Sequence, residues 1–162
     1  MAALFGCVSP ELNSAGNEMI PAAKVLLADQ SDAVRSLFSD VYSALVHGSG
    51  CRPDVKTIYV SFTLGDSLVA SAHPRADVVE LALALPEAHG STLLEDASHL
   101  TWRTLPLLVC IEADSPREDV MDLVYEAVNR VESGEHDVDR PPEFFQAARR
   151  ANKRNRFWET LD

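Results

Sequence analysis

The sequence contains only three cysteines, and they are far apart, at Cys7, Cys51 and Cys110, with no CxxC pair. This number and spacing do not fit a disulfide framework or a cysteine-based zinc site. The five histidines are also dispersed, and no two of them have the i, i+4 spacing that clasps a metal on one helix face. We therefore expect neither a metal nor another cofactor.

Long hydrophobic runs and known catalytic motifs are absent as well. No apolar run approaches the roughly 18 residues that cross a bilayer, and the first residues lack the basic and apolar regions of a secretory signal. There is no GxSxG, HExxH, P-loop or EF-hand pattern. We expect a cytoplasmic protein, and the sequence favours a function other than catalysis.

Positive charge is scarce, since the chain has 14 Lys and Arg residues but 25 Asp and Glu residues, which gives a net charge of -11. A surface of this sign repels phosphate, so we expect neither nucleic acid nor an anionic membrane as a partner of the body. The hydrophobic fraction of 46% in 162 residues is typical of one folded domain.

Apolar periodicity predicts two main helices. Val34, Leu37, Phe38 and Val41 recur at three- and four-residue steps within a helix from Ser31 to about His47, which Gly48-Ser49-Gly50 ends. A shorter helix is predicted to begin near Pro21. The last helix is predicted over 114–131, with Ser115 and Glu118 as a capping box around Pro116.

Strands are predicted between these helices. From Lys56, alternation places Ile58, Val60, Phe62 and Leu64 on one side of a first strand, and Gly65-Asp66 suits a two-residue hairpin turn. Further strands are predicted at 67–72, 78–85 and 105–112, with one or two helical turns at 91–97. The expected fold class is α+β, an antiparallel sheet of four or more strands with helices on one face, in the order α-β-β-β-(α)-β-α.

Four regions follow from this pattern: a flexible arm at 1–20, the α+β domain at 21–131, an acidic linker at 132–142 and a basic amphipathic helical tail at 143–162. The tail residues predicted to contact a partner are Arg149, Arg150, Lys153, Arg154, Arg156 and Trp158. Three interpretations stay open: the tail folds onto the acidic body, binds an acidic protein, or contacts nucleic acid through interleaved aromatic and basic residues.

A small binding pocket is predicted where the first strand begins and where the loop before the last strand lies. Its candidate residues are Lys56, Tyr59, His99, Trp102 and Arg103. Tyr and Trp offer flat contact area, and Lys or Arg can anchor an anion. The alternative is structural: Trp102 fills an edge of the core and Lys56 is a solvated strand end.

Between Asp32 and Val131 the order of features resembles an uncharacterised family, domain of unknown function 5655. The resemblance rests on VRSLFSDVYSAL, KTIYVSF, LLEDASHLTW and VCIEADSPREDVMDLVYEAVNRV. It implies an α+β domain found in bacterial proteins, with a Lys similar to Lys56 heading a strand and a loop that His99 and Trp102 would occupy. It implies no particular activity.

The sequence thus predicts a non-enzymatic protein-binding or adaptor module. Two alternatives remain open: a small-molecule-binding protein or enzyme using Lys56, Tyr59 and Trp102, and a nucleic-acid-associated protein acting through the tail. Homodimerisation through the tail or a sheet edge is also compatible with the sequence.

Overall fold

A computed structural model describes residues 18–100, 102 and 104–135. Within these residues the chain forms an α+β fold with a six-stranded antiparallel sheet, which confirms the predicted fold class. The predicted basic tail at 143–162 lies outside the described residues. The elements run in the order α1 (Pro21–Leu26), α2 (Asp32–Ser43), a π-helical turn (Ala44–Gly48), β1 (Arg52–Val55), β2 (Val60–Leu64), β3 (Ser67–Pro74), β4 (Val79–Leu83), β5 (Leu94–Asp96), β6 (Leu107–Ile111) and α3 (Arg117–Glu132).

Local signals set the ends of the first two helices. Pro21 occupies the first turn of α1, where its missing N–H has no role in helix bonding. Ser31 caps α2, because its hydroxyl accepts a bond from the N–H of Val34 at 3.3 Å. The helical path stops after the π-helical turn, where Gly50 adopts a φ of 75°. The predicted helix starts are therefore confirmed.

The strands lie in the order β1-β2-β3-β4-β6-β5, and all neighbours are antiparallel. The predicted turn at Gly65-Asp66 joins β2 to β3, with Leu64 opposite Ser67 and Gly65 at a φ of 60°. Both edge strands are short, and β1 contains Pro53, which cannot donate a ladder bond. These features hinder edge-to-edge pairing with another sheet.

Helices cover one face of the sheet, as predicted. Alternate strand residues on this face are almost completely buried, among them Val60, Phe62, Ala70, Ala72, Val79, Leu81, Leu83, Val109 and Ile111. The ring of Tyr42 in α2 meets Phe62 edge-on, with the ring centroids 5.8 Å apart. Arg117 of α3 forms an ion pair with Asp40 and a hydrogen bond to Ser36 at 3.1 Å, so α3 lies beside α2.

Two strand predictions are wrong in detail. Ile58 is not in a buried strand, since its side chain is 66% exposed in a turn in which the N–H of Lys56 donates to the carbonyl of Tyr59 at 2.8 Å. The predicted helical turns at 91–97 are replaced by β5, because Leu94 and Asp96 pair with Val109 and Leu107. In both places, pairing between strands decides the structure: β1 pairs with β2 on either side of the turn at Ile58, and β5 pairs with β6. The hydrophobic pattern of the local sequence does not show this pairing.

The predicted capping box at the start of α3 is also wrong. The hydroxyl of Ser115 accepts a bond from the N–H of Glu112 at 2.8 Å and donates to the carbonyl of Cys110 at 3.2 Å. It therefore closes the turn after β6 instead of capping the helix. Pro116 is the residue before the helix, with no side-chain cap bond.

Candidate functional site

The second face of the sheet carries polar side chains at its centre. His73 of β3 lies opposite Glu80 of β4, and Glu80 lies opposite Cys110 of β6. Because strand side chains alternate between faces, this row projects away from the helices, between the apolar residues of the covered face. The row supplies the ionisable groups of the candidate site.

The described residues of the segment 97–106 lie over this polar face. Its ends meet where the N–H of Ala97 donates to the carbonyl of Pro106 at 2.9 Å. His99 Nε2 lies 3.0 Å from Glu80 Oε1, and the ring of Trp102 meets that of Tyr59 edge-on at a centroid distance of 5.6 Å. Tyr59, His99 and Trp102, which the sequence places in one pocket, are thus brought together.

His73 forms the buried floor beneath these residues. Its ring stacks on Tyr59 at a centroid distance of 5.2 Å, and its Nε2 lies 2.8 Å from the hydroxyl of Ser71. Burial, with the nearby charges of Arg75 and His99, lowers the pKa of His73 to about 4, against the raising effect of Glu80. The imidazole is therefore neutral at neutral pH. Ser71 is completely buried, so this Ser–His pair offers no nucleophile to a solvent-borne substrate.

Glu80 is held by two partners. Its Oε2 accepts from Arg75 Nε at 2.9 Å, while its Oε1 faces His99. Burial raises the pKa of Glu80, but hydrogen bonds to Arg75 and His99 outweigh this effect and leave the pKa below its ordinary value. The carboxylate stays ionised and paired, which does not suit a general base that must exchange protons near neutral pH.

The two described cysteines are poor nucleophiles. Burial raises the pKa of Cys51 to about 11, with a further contribution from Glu132. Burial also raises the pKa of Cys110, and Glu95 adds to the effect. Since the thiolate is the reactive form, both thiols are unreactive at neutral pH.

Lys56 lies in the turn that leads to Tyr59, and its Nζ forms an ion pair with Asp54 at 2.8 Å. Both side chains of this pair are partly exposed. The turn also presents Ile58, which the sequence pattern had placed in the core. Arg103 and the tail candidates, namely Arg149, Arg150, Lys153, Arg154, Arg156 and Trp158, lie outside the described residues.

Sequence reasoning did not identify His73, Arg75 and Glu80 as site residues. The turn was predicted to include His73, whereas β3 continues through Pro74 and, of these residues, only Arg75 lies in the turn that follows. The available signal was the period-two pattern itself, in which His73 and Glu80 alternate with apolar neighbours and so fall on the face away from the core.

Among the described residues, no group of three or more His, Cys, Asp and Glu side chains is arranged to hold a metal ion. None of the helices in the described ranges is long and apolar enough to cross a membrane. Comparison with protein-family models, with curated proteins and with solved structures finds no match to this chain. The resemblance to domain of unknown function 5655 therefore stays a prediction.

Proposed function

We propose that this protein is a non-enzymatic protein-binding module. Its contact surface consists of Lys56, Ile58, Tyr59 and Trp102. The observation that carries the proposal is the 66% exposure of Ile58, next in the chain to an aromatic residue that packs against Trp102. A large aliphatic side chain held out on a tight turn contributes nothing to the core, and binding a partner would bury it.

The composition of this surface suits a protein partner. Tyr and Trp are enriched among the residues that dominate binding energy, because they bury much area and lose little side-chain entropy. Here the ring of Tyr59 is stacked on His73 and contacts Trp102, so it is positioned before any partner arrives. Such preorganisation lowers the entropic cost of binding. The matching partner is a protein segment that presents an apolar side chain to Ile58.

The ionisable groups below the surface support binding over catalysis. His73 is buried and neutral, and Glu80 is paired on both oxygens. General acid–base catalysis needs a group whose protonation changes near the working pH. Neither His73 nor Glu80 meets this requirement; His73 instead stacks on Tyr59, and Glu80 contacts Arg75 and His99.

The experiment that tests this proposal is affinity capture by tagged full-length protein, with and without nuclease, alongside a thermal-shift screen of small molecules. A protein that is captured specifically and survives nuclease treatment supports the proposal. Capture that is lost with nuclease would replace it with the nucleic-acid alternative. Stabilisation by a small molecule, abolished by Trp102→Ala, would replace it with the ligand-binding alternative.

A further inference from the structure

A second surface, separate from the contact surface, lies along the outer side of α3. A groove of about 430 Å³ runs between this helix and the segment Gly90–Leu93. Three carboxylates, Asp119, Asp122 and Glu126, line it, together with Leu93 and Leu123. The groove thus combines apolar contacts with concentrated negative charge.

Its shape is fixed by bonds between the loop and the helix. His89 Nε2 lies 2.8 Å from Glu126 Oε2, and His89 Nδ1 accepts from the N–H of Ser91 at 3.1 Å. Asp119 and Asp122 form no ion pair with any residue in the described ranges. The groove therefore presents two carboxylates that a basic ligand could pair with.

The same chain carries a segment of opposite charge. Residues 149–156 have the sequence RRANKRNR, which holds five basic residues and no acidic one. Phe157 and Trp158 follow directly and are suited to pack against Leu93 and the exposed Tyr125. We propose that residues 149–156 bind intramolecularly in the α3 groove.

Chain length permits this contact. From Glu126 to the end of α3 at Glu132 the distance is about 9 Å at a rise of 1.5 Å per residue, and residues 136–148 can span up to about 43 Å when extended. Tethering gives the segment a local concentration of about a millimolar, far above that of a free partner. Of the three interpretations of the tail, the structure thus favours binding to its own body.

Zero-length carbodiimide cross-linking of the full-length protein, followed by peptide mass spectrometry, tests this proposal. The chain has only three lysines, Lys24, Lys56 and Lys153. We expect Lys153 to couple to Asp119, Asp122 or Glu126 within monomers, while the 2.8 Å pair of Lys56 and Asp54 serves as an internal control. The variant R149Q/R150Q/R154Q/R156Q keeps Lys153 and every carboxylate, and should lose this cross-link.

Tryptic cleavage in the segment gives a second readout. Docking should slow cleavage at 149–156 by roughly tenfold relative to the D119N/D122N/E126Q variant. The three carboxylates would hold the segment in the groove, where trypsin cannot reach it. The matched control D29N/D66N/E87Q removes as much charge from exposed carboxylates elsewhere and should cleave like the wild type. Lys153 cross-links found only in dimers, or spread evenly over distant carboxylates, would overturn the proposal, as would equal cleavage rates in all three proteins.

Discussion

His99 Nε2 lies 3.0 Å from Glu80 Oε1 and so ties the segment 97–106 to the centre of the sheet. Arg75 binds the other oxygen of the same carboxylate at 2.9 Å. Trp102 is three residues beyond His99 in the same segment, so we expect the position of its ring at the proposed contact surface to depend on this contact. Glu80 thereby links the polar face to the proposed contact surface without touching a partner itself.

Replacing Glu80 with Gln should loosen the segment 97–106. We expect a loss of about 1 kcal/mol in the free energy of unfolding, because the side chains of Arg75 and His99 are about half exposed and each interaction contributes little. Backbone hydrogen exchange over 98–104 should rise more than exchange in α3. The control is Glu87→Gln, an exposed carboxylate that forms no ion pair with another described residue. Unchanged exchange in the Glu80 variant would show that the contacts of Glu80 with Arg75 and His99 do not hold the segment.

Acid should destabilise the fold through His73. The folded pKa of about 4 lies below the ordinary 6.5, so the unfolded chain binds more protons between these values. Stability therefore falls as pH falls through this window, and is unaffected by His73 above it. The loss is of the order of 3 kcal/mol at most, taking about 1.4 kcal/mol per pKa unit.

The pH dependence of urea unfolding measures this effect. The variant His73→Gln can still bond to Ser71 but does not titrate, so its stability should fall less steeply between pH 6.5 and 4 than that of the wild type. His47→Gln, at an exposed position, should leave the slope unchanged. Parallel slopes in all three proteins would contradict a buried neutral His73.

Tyr42 is expected to stabilise the core through its ring alone. The ring packs on Phe62, while the hydroxyl is buried and has no hydrogen-bond partner among the described residues. Tyr42→Phe should be neutral or up to about 1 kcal/mol stabilising, because an unpaired buried hydroxyl is costly. Tyr42→Ala should cost about 3–5 kcal/mol through the cavity it leaves. Thermal unfolding of both variants checks this, and strong destabilisation by Phe would reveal a missing polar contact.

Those parts of the fold that local patterns determine could be predicted from the sequence. The stripe beginning at Val34, the cap at Ser31 and the turn at Gly65 each act within a few residues, and each was found. β5 and the turn at Ile58 depend on pairing with strands elsewhere in the chain, which periodicity does not report. Ser115 was misassigned for a related reason, since its hydroxyl bonds backward to β6 instead of forward to α3.

The residues of the candidate site were likewise only partly predictable from the sequence. Tyr59, His99 and Trp102 were grouped because a strand start and a loop before the last strand were expected to meet. His73 and Glu80 were missed because their role comes from lying opposite each other across β3 and β4. Cross-strand registers depend on the whole sheet, so only the alternation of each strand could have indicated them.

The most direct test of the proposed binding function is the affinity of a captured partner for wild-type protein and for the variants Ile58→Asp and Val25→Asp. The side chains of Val25 and Ile58 are 74% and 66% exposed, so the free energy of unfolding of each variant should lie within about 0.5 kcal/mol of the wild-type value. Val25 lies on α1, is not one of the contact-surface residues, and serves as the matched control. We predict that Ile58→Asp weakens binding by at least about tenfold, roughly 1.4 kcal/mol, and that Val25→Asp leaves it unchanged. Equal affinity of all three proteins would contradict the proposal that this surface binds the partner.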